Sequence, residues 1–136
     1  MAADCAIELK DHNVTMVSLW PGPVKTEYIQ ENVLDNAEKS AMSQAGVFHN
    51  AESVEFAGQA CVKLAMDPKR LEKTGKILLV CDLAMEYDFT DDDGDVHDVR
   101  ALSFLFKRYG RTWLAACTPS FIRVPLIFMH LGSNKF

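Results

Sequence analysis

The chain has 136 residues, 49% of them apolar, with a net charge of −5 and a pI near 5.3. That is one domain's worth of core-building material, and the acidic balance argues against nucleic acid, whose phosphates need a basic face. Cys5, Cys61, Cys81 and Cys117 form no C-x-x-C pair and have no histidine at ligand spacing, so they predict free thiols in a reducing compartment.

Residues 1–10 carry Ala3, Ala6 and Ile7 on one stripe with Lys10 at the end, which predicts a helix finishing at a His12-Asn13 turn. No N-cap residue precedes it, and no basic region followed by an apolar run marks a secretory leader. Residues 14–20 form an apolar run bounded by Pro21-Gly22-Pro23. That pattern predicts a strand buried on both faces of a parallel sheet. Residues 27–50 mix polar clusters with Gly46 and are expected to hold one or two short helices in a mobile segment. Next, Asn50 or Ser53 can cap a helix with Val54, Ala57, Cys61, Leu64 and Ala65 at helical spacing, which Asp67-Pro68 ends. Thr74-Gly75 then turns into a second apolar strand at 76–81. Strand, loop, helix and strand in this order predict a βαβ crossover between parallel strands.

Residues 82–98 read as an acidic loop, in which every charged residue is acidic. From Arg100 onward every charged residue is basic, in a tail rich in apolar residues with Trp113, Phe121, Phe128, Pro119 and Pro125. No run approaches the roughly 18 apolar residues of a membrane-spanning helix.

Several motifs recur in one order: Glu8-Leu9, Val14, Val17, Trp20-Pro21-Gly22, Val24, Thr26-Glu27, then Leu64-Ala65, Asp67-Pro68 and Thr74-Gly75-Lys76. This arrangement resembles the C-terminal half of a short-chain dehydrogenase/reductase. The resemblance implies an α/β fold, the C-terminal part of a Rossmann-like doubly wound parallel sheet. Residues 1–82 would be the C-terminal portion of that domain and 83–136 a subgroup-specific apolar, basic extension.

The resemblance also implies that Pro21, Gly22, Val24 and Thr26 belong to the loop that orients the nicotinamide of NAD(P)(H), with NADP(H) the expected form. The chemistry suits those residue types. A backbone bent at Pro21-Gly22 can offer C=O and N–H groups to a carboxamide, and Thr26 adds a hydroxyl that donates and accepts. Gly22 lets the backbone approach without a Cβ in the way. The segment after the loop would cover the substrate, with Trp20 and Tyr28 as lining residues. Carbonyl or alcohol substrates of the steroid or xenobiotic type follow from the same resemblance. So does a place in the cytoplasm or on the cytoplasmic face of the endoplasmic reticulum.

Two parts of that machinery have no counterpart in the sequence. The seven glycines are too widely spaced for a Gly-rich pyrophosphate turn. Tyr28, Tyr87 and Tyr109 are followed four residues later by Asn32, Asp91 and Trp113, so there is no Tyr-x-x-x-Lys proton-transfer pair. The expectation is therefore a portion of an oxidoreductase, with Met1 internal to a longer protein, inactive by itself and without tight cofactor binding. The alternative is a non-enzymatic interaction or dimerising segment.

Other candidates are weaker. Aligning Gly94 with the sixth position of an EF-hand loop puts Phe89 and Arg100 at the first and twelfth positions, both wrong ligands for calcium, so no metal is expected. His12, His49, His97 and His130 stand isolated in sequence and read as surface or loop residues, while Cys61 and Cys81 read as small core residues. Two readings of residues 101–136 stay open. One is peripheral contact with a membrane surface through aromatic and basic side chains; the other is packing within the domain or across a homo-oligomer.

Overall fold

Thr74-Gly75-Lys76 is the turn that brings the two strands together. The Met16 N–H donates to Thr74 Oγ1 at 3.0 Å, the Gly75 N–H donates to the Met16 carbonyl at 2.7 Å, and the Ser18 N–H donates to the Lys76 carbonyl at 3.0 Å. These bonds lead into a parallel pair, β1 (Ser18–Trp20) and β2 (Ile77–Leu79), with Ser18 opposite Ile77 and Trp20 opposite Leu79. Gly75 has φ +77°, a conformation open to glycine at little cost, and a Cβ there would come within 3.3 Å of the Ala6 Cβ. The first helix, α1 (Ala2–Leu9), thereby packs against the turn with Ala6 buried. It is followed by a 3-10 turn, Lys10–His12, that ends at Asn13 in the left-handed region.

This geometry comes from a computed structural model that describes residues 1–34, 48, 51–108, 111–119, 121–125 and 127. The chain divides into two compact units, Met1–His97 and Asp98–Phe136. Most of the segment expected to hold short helices after the loop, residues 35–47 with 49 and 50, lies outside the described residues. Its beginning is a one-turn helix, α2 (Glu27–Ile29), that widens into a π turn over Gln30–Leu34.

The crossover helix is α3 (Val54–Met66). Ser53 caps it, its Oγ accepting from the Phe56 N–H at 3.1 Å. Asp67, extended at φ −69° and ψ 119° before Pro68, ends it. Phe56, Ala60, Val80, Leu83, Ala84 and Phe89 form the core, with Leu19 and Leu78 of the sheet packed against it. The Phe56 and Phe89 rings meet at 5.3 Å between centroids, tilted by 57°. The fold is thus α/β, with a small parallel sheet and a helical crossover.

Several expectations need correction. The chain turns helical at Val80, so the second strand stops at Leu79, and α4 (Val80–Tyr87) occupies the start of the expected acidic loop. Val80, Leu83, Ala84 and Tyr87 sit at i, i+3, i+4 and i+7, a helical stripe that Asp82 and Glu86 interrupt on the opposite side. The first strand is shorter than the expected 14–20 run, spanning only Ser18–Trp20, and that run is not buried on both faces: Val14 is 42% and Trp20 41% exposed. Only two strands pair among the described residues, so their outer edges stay open and a cleft of about 530 Å³ lies over Thr15, Val17, Leu19, Cys61, Leu64, Ala65 and Arg70. Cys61 is for that reason exposed on the cleft side of α3 rather than in the core, whereas Cys81 is buried.

In the second unit, α5 (Leu102–Arg108) and α6 (Thr112–Cys117) pack together. Ala101 and Arg123 form an antiparallel bridge, and Arg123 Nε pairs with Asp98 Oδ2 at 2.5 Å. Trp113, Phe121 and Ile127 are largely exposed.

Replacing Thr74 by Val should remove the acceptor of the Met16 N–H and cost about 1 kcal/mol in urea unfolding. Gly75→Ala should cost more, on the order of 1–3 kcal/mol, because it adds backbone strain to the clash with Ala6. Equal stability of both variants and the wild type would contradict this view of the turn.

Candidate functional site

The strand β1 ends in the sharp 21–26 loop, and in parallel α/β sheets ligands bind beyond the carboxyl ends of strands. This loop is tied to residue 52, just ahead of α3. Val24 and Glu52 form a parallel bridge in which the Glu52 N–H donates to the Pro23 carbonyl and the Lys25 N–H donates to the Glu52 carbonyl, both at 2.9 Å. The Glu52 side chain continues the same seam, its Oε1 accepting from the Gly22 N–H at 2.9 Å.

Glu52 is only 1% exposed. Burial pushes its carboxyl up to about 7; the Gly22 N–H offsets part of that shift, and the nearby Asp91 charge adds to it. No sequence signal marked this residue, because an acidic residue just before a capped helix is ordinary on the surface.

The residues singled out in the sequence are placed as follows. Pro21 is exposed at the bend, Gly22 is half-buried with its N–H held by Glu52, and Val24 is half-buried at the bridge. Thr26 is exposed and caps α2, its Oγ1 accepting from the Ile29 N–H at 3.3 Å. Its own O–H proton remains available for donation. Trp20 is exposed and its indole Nε1 donates to Ser18 Oγ at 3.1 Å, and Tyr28 is 70% exposed at the start of α2. Trp20, Gly22 and Thr26 are thus brought onto one short stretch at the end of β1.

Behind the loop lies a second layer. Asp91 accepts from the Ser53 N–H at 2.7 Å, from the Ser53 hydroxyl, and from the Asp92 N–H at 2.8 Å. Burial pushes the Asp91 carboxyl up, yet the Ser53 hydroxyl and amide, the Asp92 amide and the His97 ring together bring it below the usual carboxylate range. His97 is therefore not an isolated loop residue. Its Nε2 lies 3.1 Å from Asp93 Oδ2 and 3.4 Å from Asp91 Oδ2, and its ring stands edge-on to Phe56. Asp91, Asp93 and His97 thereby bring three potential ligand atoms within 4.8 Å of one another, while the Asp91 oxygens also accept from Ser53 and Asp92. The i, i+4 spacing of Asp93 and His97 was the only local hint of this cluster.

On the far end of α3, the Tyr87 hydroxyl donates to Asp67 Oδ2 at 2.7 Å. Burial, that hydrogen bond and the Asp67 charge raise the Tyr87 phenol well above its ordinary range. A phenol held this way stays protonated and structural, unlike a proton-transfer tyrosine, which needs a lowered pKa.

Strand, bent Pro-Gly loop, capped crossover helix and Thr-Gly-Lys strand follow one another in the order that resembles the short-chain dehydrogenases/reductases. Curated relatives carry that family name. Over its whole length the chain is 42% identical to the Homo sapiens protein called dehydrogenase/reductase SDR family member 1, and 40% identical to the Mus musculus protein of the same name. It spans 45% of the length of each. No family model matches the chain.

The raised Glu52 carboxyl makes the folded state bind more protons than the unfolded chain between about pH 4.5 and 7. Stability contributed by this group is therefore greatest below about pH 4.5 and falls as pH rises through 7. Urea unfolding across that window should show a fall on the order of 3 kcal/mol that Glu52→Gln flattens. An unchanged slope in the variant would contradict the assignment.

Proposed function

We propose that residues 21–26 are the nicotinamide-facing loop of an NAD(P)(H)-dependent oxidoreductase acting on carbonyl or alcohol substrates. The observation that carries the reading is the bent Pro21-Gly22 loop at the carboxyl end of a parallel strand, followed in order by the α3 crossover and the Thr74-Gly75-Lys76 strand. Similarity to dehydrogenase/reductase SDR family member 1 across the whole chain supports it.

In this reading the loop orients a carboxamide, and the exposed Thr26 hydroxyl adds a donor. A nicotinamide ring supplies hydride transfer when bound. Each loop hydrogen bond contributes about 1 kcal/mol, enough to orient a ring and too little to hold the whole cofactor. The pyrophosphate turn and the Tyr-x-x-x-Lys pair have no counterpart in the 136 residues, so this chain alone binds NADP(H) weakly and does not reduce carbonyl compounds. The substrates of the complete machinery would be small carbonyl compounds such as steroids or xenobiotics.

A second reading draws on the Asp98–Phe136 unit. Its exposed Trp113, Phe121 and Ile127 lie in a stretch whose charges from Arg100 onward are all basic. That combination suits an interaction segment, either at a membrane surface or between copies of the chain. No helix among the described residues is long and apolar enough to cross a membrane.

The first reading is tested by following backbone amides of the ¹⁵N-labelled chain during titration with NADPH and, separately, with ADP-ribose, which lacks the nicotinamide ring. Amides of Gly22, Lys25 and Thr26 should move with NADPH at millimolar concentration and stay put with ADP-ribose. Equal movement with both ligands would overturn the loop assignment, and micromolar NADPH binding or carbonyl turnover would overturn the claim of inactivity.

A further inference from the structure

Glu52 makes three of the contacts that shape the 21–26 loop: its backbone N–H and C=O pair with Pro23 and Lys25, and its side chain takes the Gly22 N–H. Its other carboxyl oxygen, Oε2, is fully buried and has no hydrogen-bond partner among the described residues. A carboxyl group with one oxygen engaged and one buried without a partner is costly to keep ionised. It is also a much stronger acceptor when ionised than when neutral, since charge-assisted hydrogen bonds are about twice as strong.

We propose that Glu52 is the positioning residue of the 21–26 loop, and that loss of its proton tightens its hold on the Gly22 N–H while gain of the proton loosens it. The functional consequence rests on the reading of this loop as nicotinamide-facing. The hydrogen bond itself does not depend on that reading.

The electrostatic surroundings agree with such a device. Asp91, on the turn after α4, is the charged group acting on Glu52, and its negative charge favours the protonated form. Asp91 is in turn faced by His97 and Asp93. The neighbouring charged residues, Lys25 on the loop and Glu55 on the first turn of α3, are exposed and are screened by solvent. The proton equilibrium of Glu52 lies near 7, so modest changes in pH change the population of the two loop states. A reduced nicotinamide approaching the loop would meet a Gly22 segment held tightly above neutrality and loosely below it.

The test uses the full ¹⁵N-labelled chain with no nucleotide present. Between about pH 5 and 9 the Gly22 amide proton should move downfield in a single step centred near 7 as the ionised acceptor replaces the neutral one. Glu52→Gln should abolish the step while leaving Gly22 near its low-pH position, because the side-chain amide oxygen still accepts. Glu52→Ala should abolish the step and release Gly22 altogether, with its amide exchanging roughly tenfold faster than in Glu52→Gln. A Gly22 resonance without a step in the wild type would overturn the proposal. So would the same step persisting in Glu52→Gln, since that would assign it to His97 or another neighbour. Failure of NADPH to perturb the loop would count against the nicotinamide reading and leave this result unaffected.

Discussion

The seam between Glu52 and the 21–26 loop joins the end of β1, the start of α3 and the turn after α4. The strand can deliver its loop in one conformation only because residue 52 accepts and donates backbone bonds beside it and inserts a carboxyl under Gly22. That carboxyl is tolerated in a buried position because burial pushes its proton equilibrium up to about 7, so it is neutral below that, and because the Gly22 N–H donates to it. One residue further on, Ser53 caps α3 and is held in turn by Asp91. A shift at any of these positions would misplace the helix that supplies Phe56 and Ala60 to the core. The polar seam and the apolar core are therefore two sides of one constraint.

Much of the fold was legible in sequence because its punctuation is local. Ser53 before an apolar stripe, Asp67 before Pro68, and Gly75 between two hydrophobic runs each act within a few residues, and each is found in the expected role. The short parallel pairing followed from the crossover rule. What was missed depends on partners far away in the chain. Glu52 meets Gly22 across 30 positions, and Asp91 meets Ser53 across 38. A one-dimensional pattern carries no sign of such contacts. The helix α4 is obscured for a different reason: Asp82 and Glu86 make it read as the start of the acidic run that follows, over the stripe of Val80, Leu83, Ala84 and Tyr87. Cys61 followed the helical stripe correctly, yet it faces an open cleft because burial depends on neighbours that spacing cannot supply.

Function rests on a partial set of parts. The loop residues Gly22 and Thr26 and the flanking Trp20 are gathered at the end of β1, while the Tyr87 phenol is committed to a partly buried hydrogen bond with Asp67. The chain spans 45% of the length of the proteins it resembles. The proposed nicotinamide-facing role falls on a loop held by its own internal contacts, and the basic, aromatic residues belong to a separate compact unit.

The central claim is that the loop is held in place by the protein itself, without any ligand. Amide hydrogen exchange on the unliganded chain tests it most directly. The account expects the Gly22, Lys25 and Glu52 amides to be protected to the same degree as Ser18 and Gly75 in the strand pairing, since all belong to one cooperative unit. Free exchange at Gly22, Lys25 and Glu52 beside protected Ser18 and Gly75 would contradict it, and would reduce the loop to an unconstrained turn at the end of a strand.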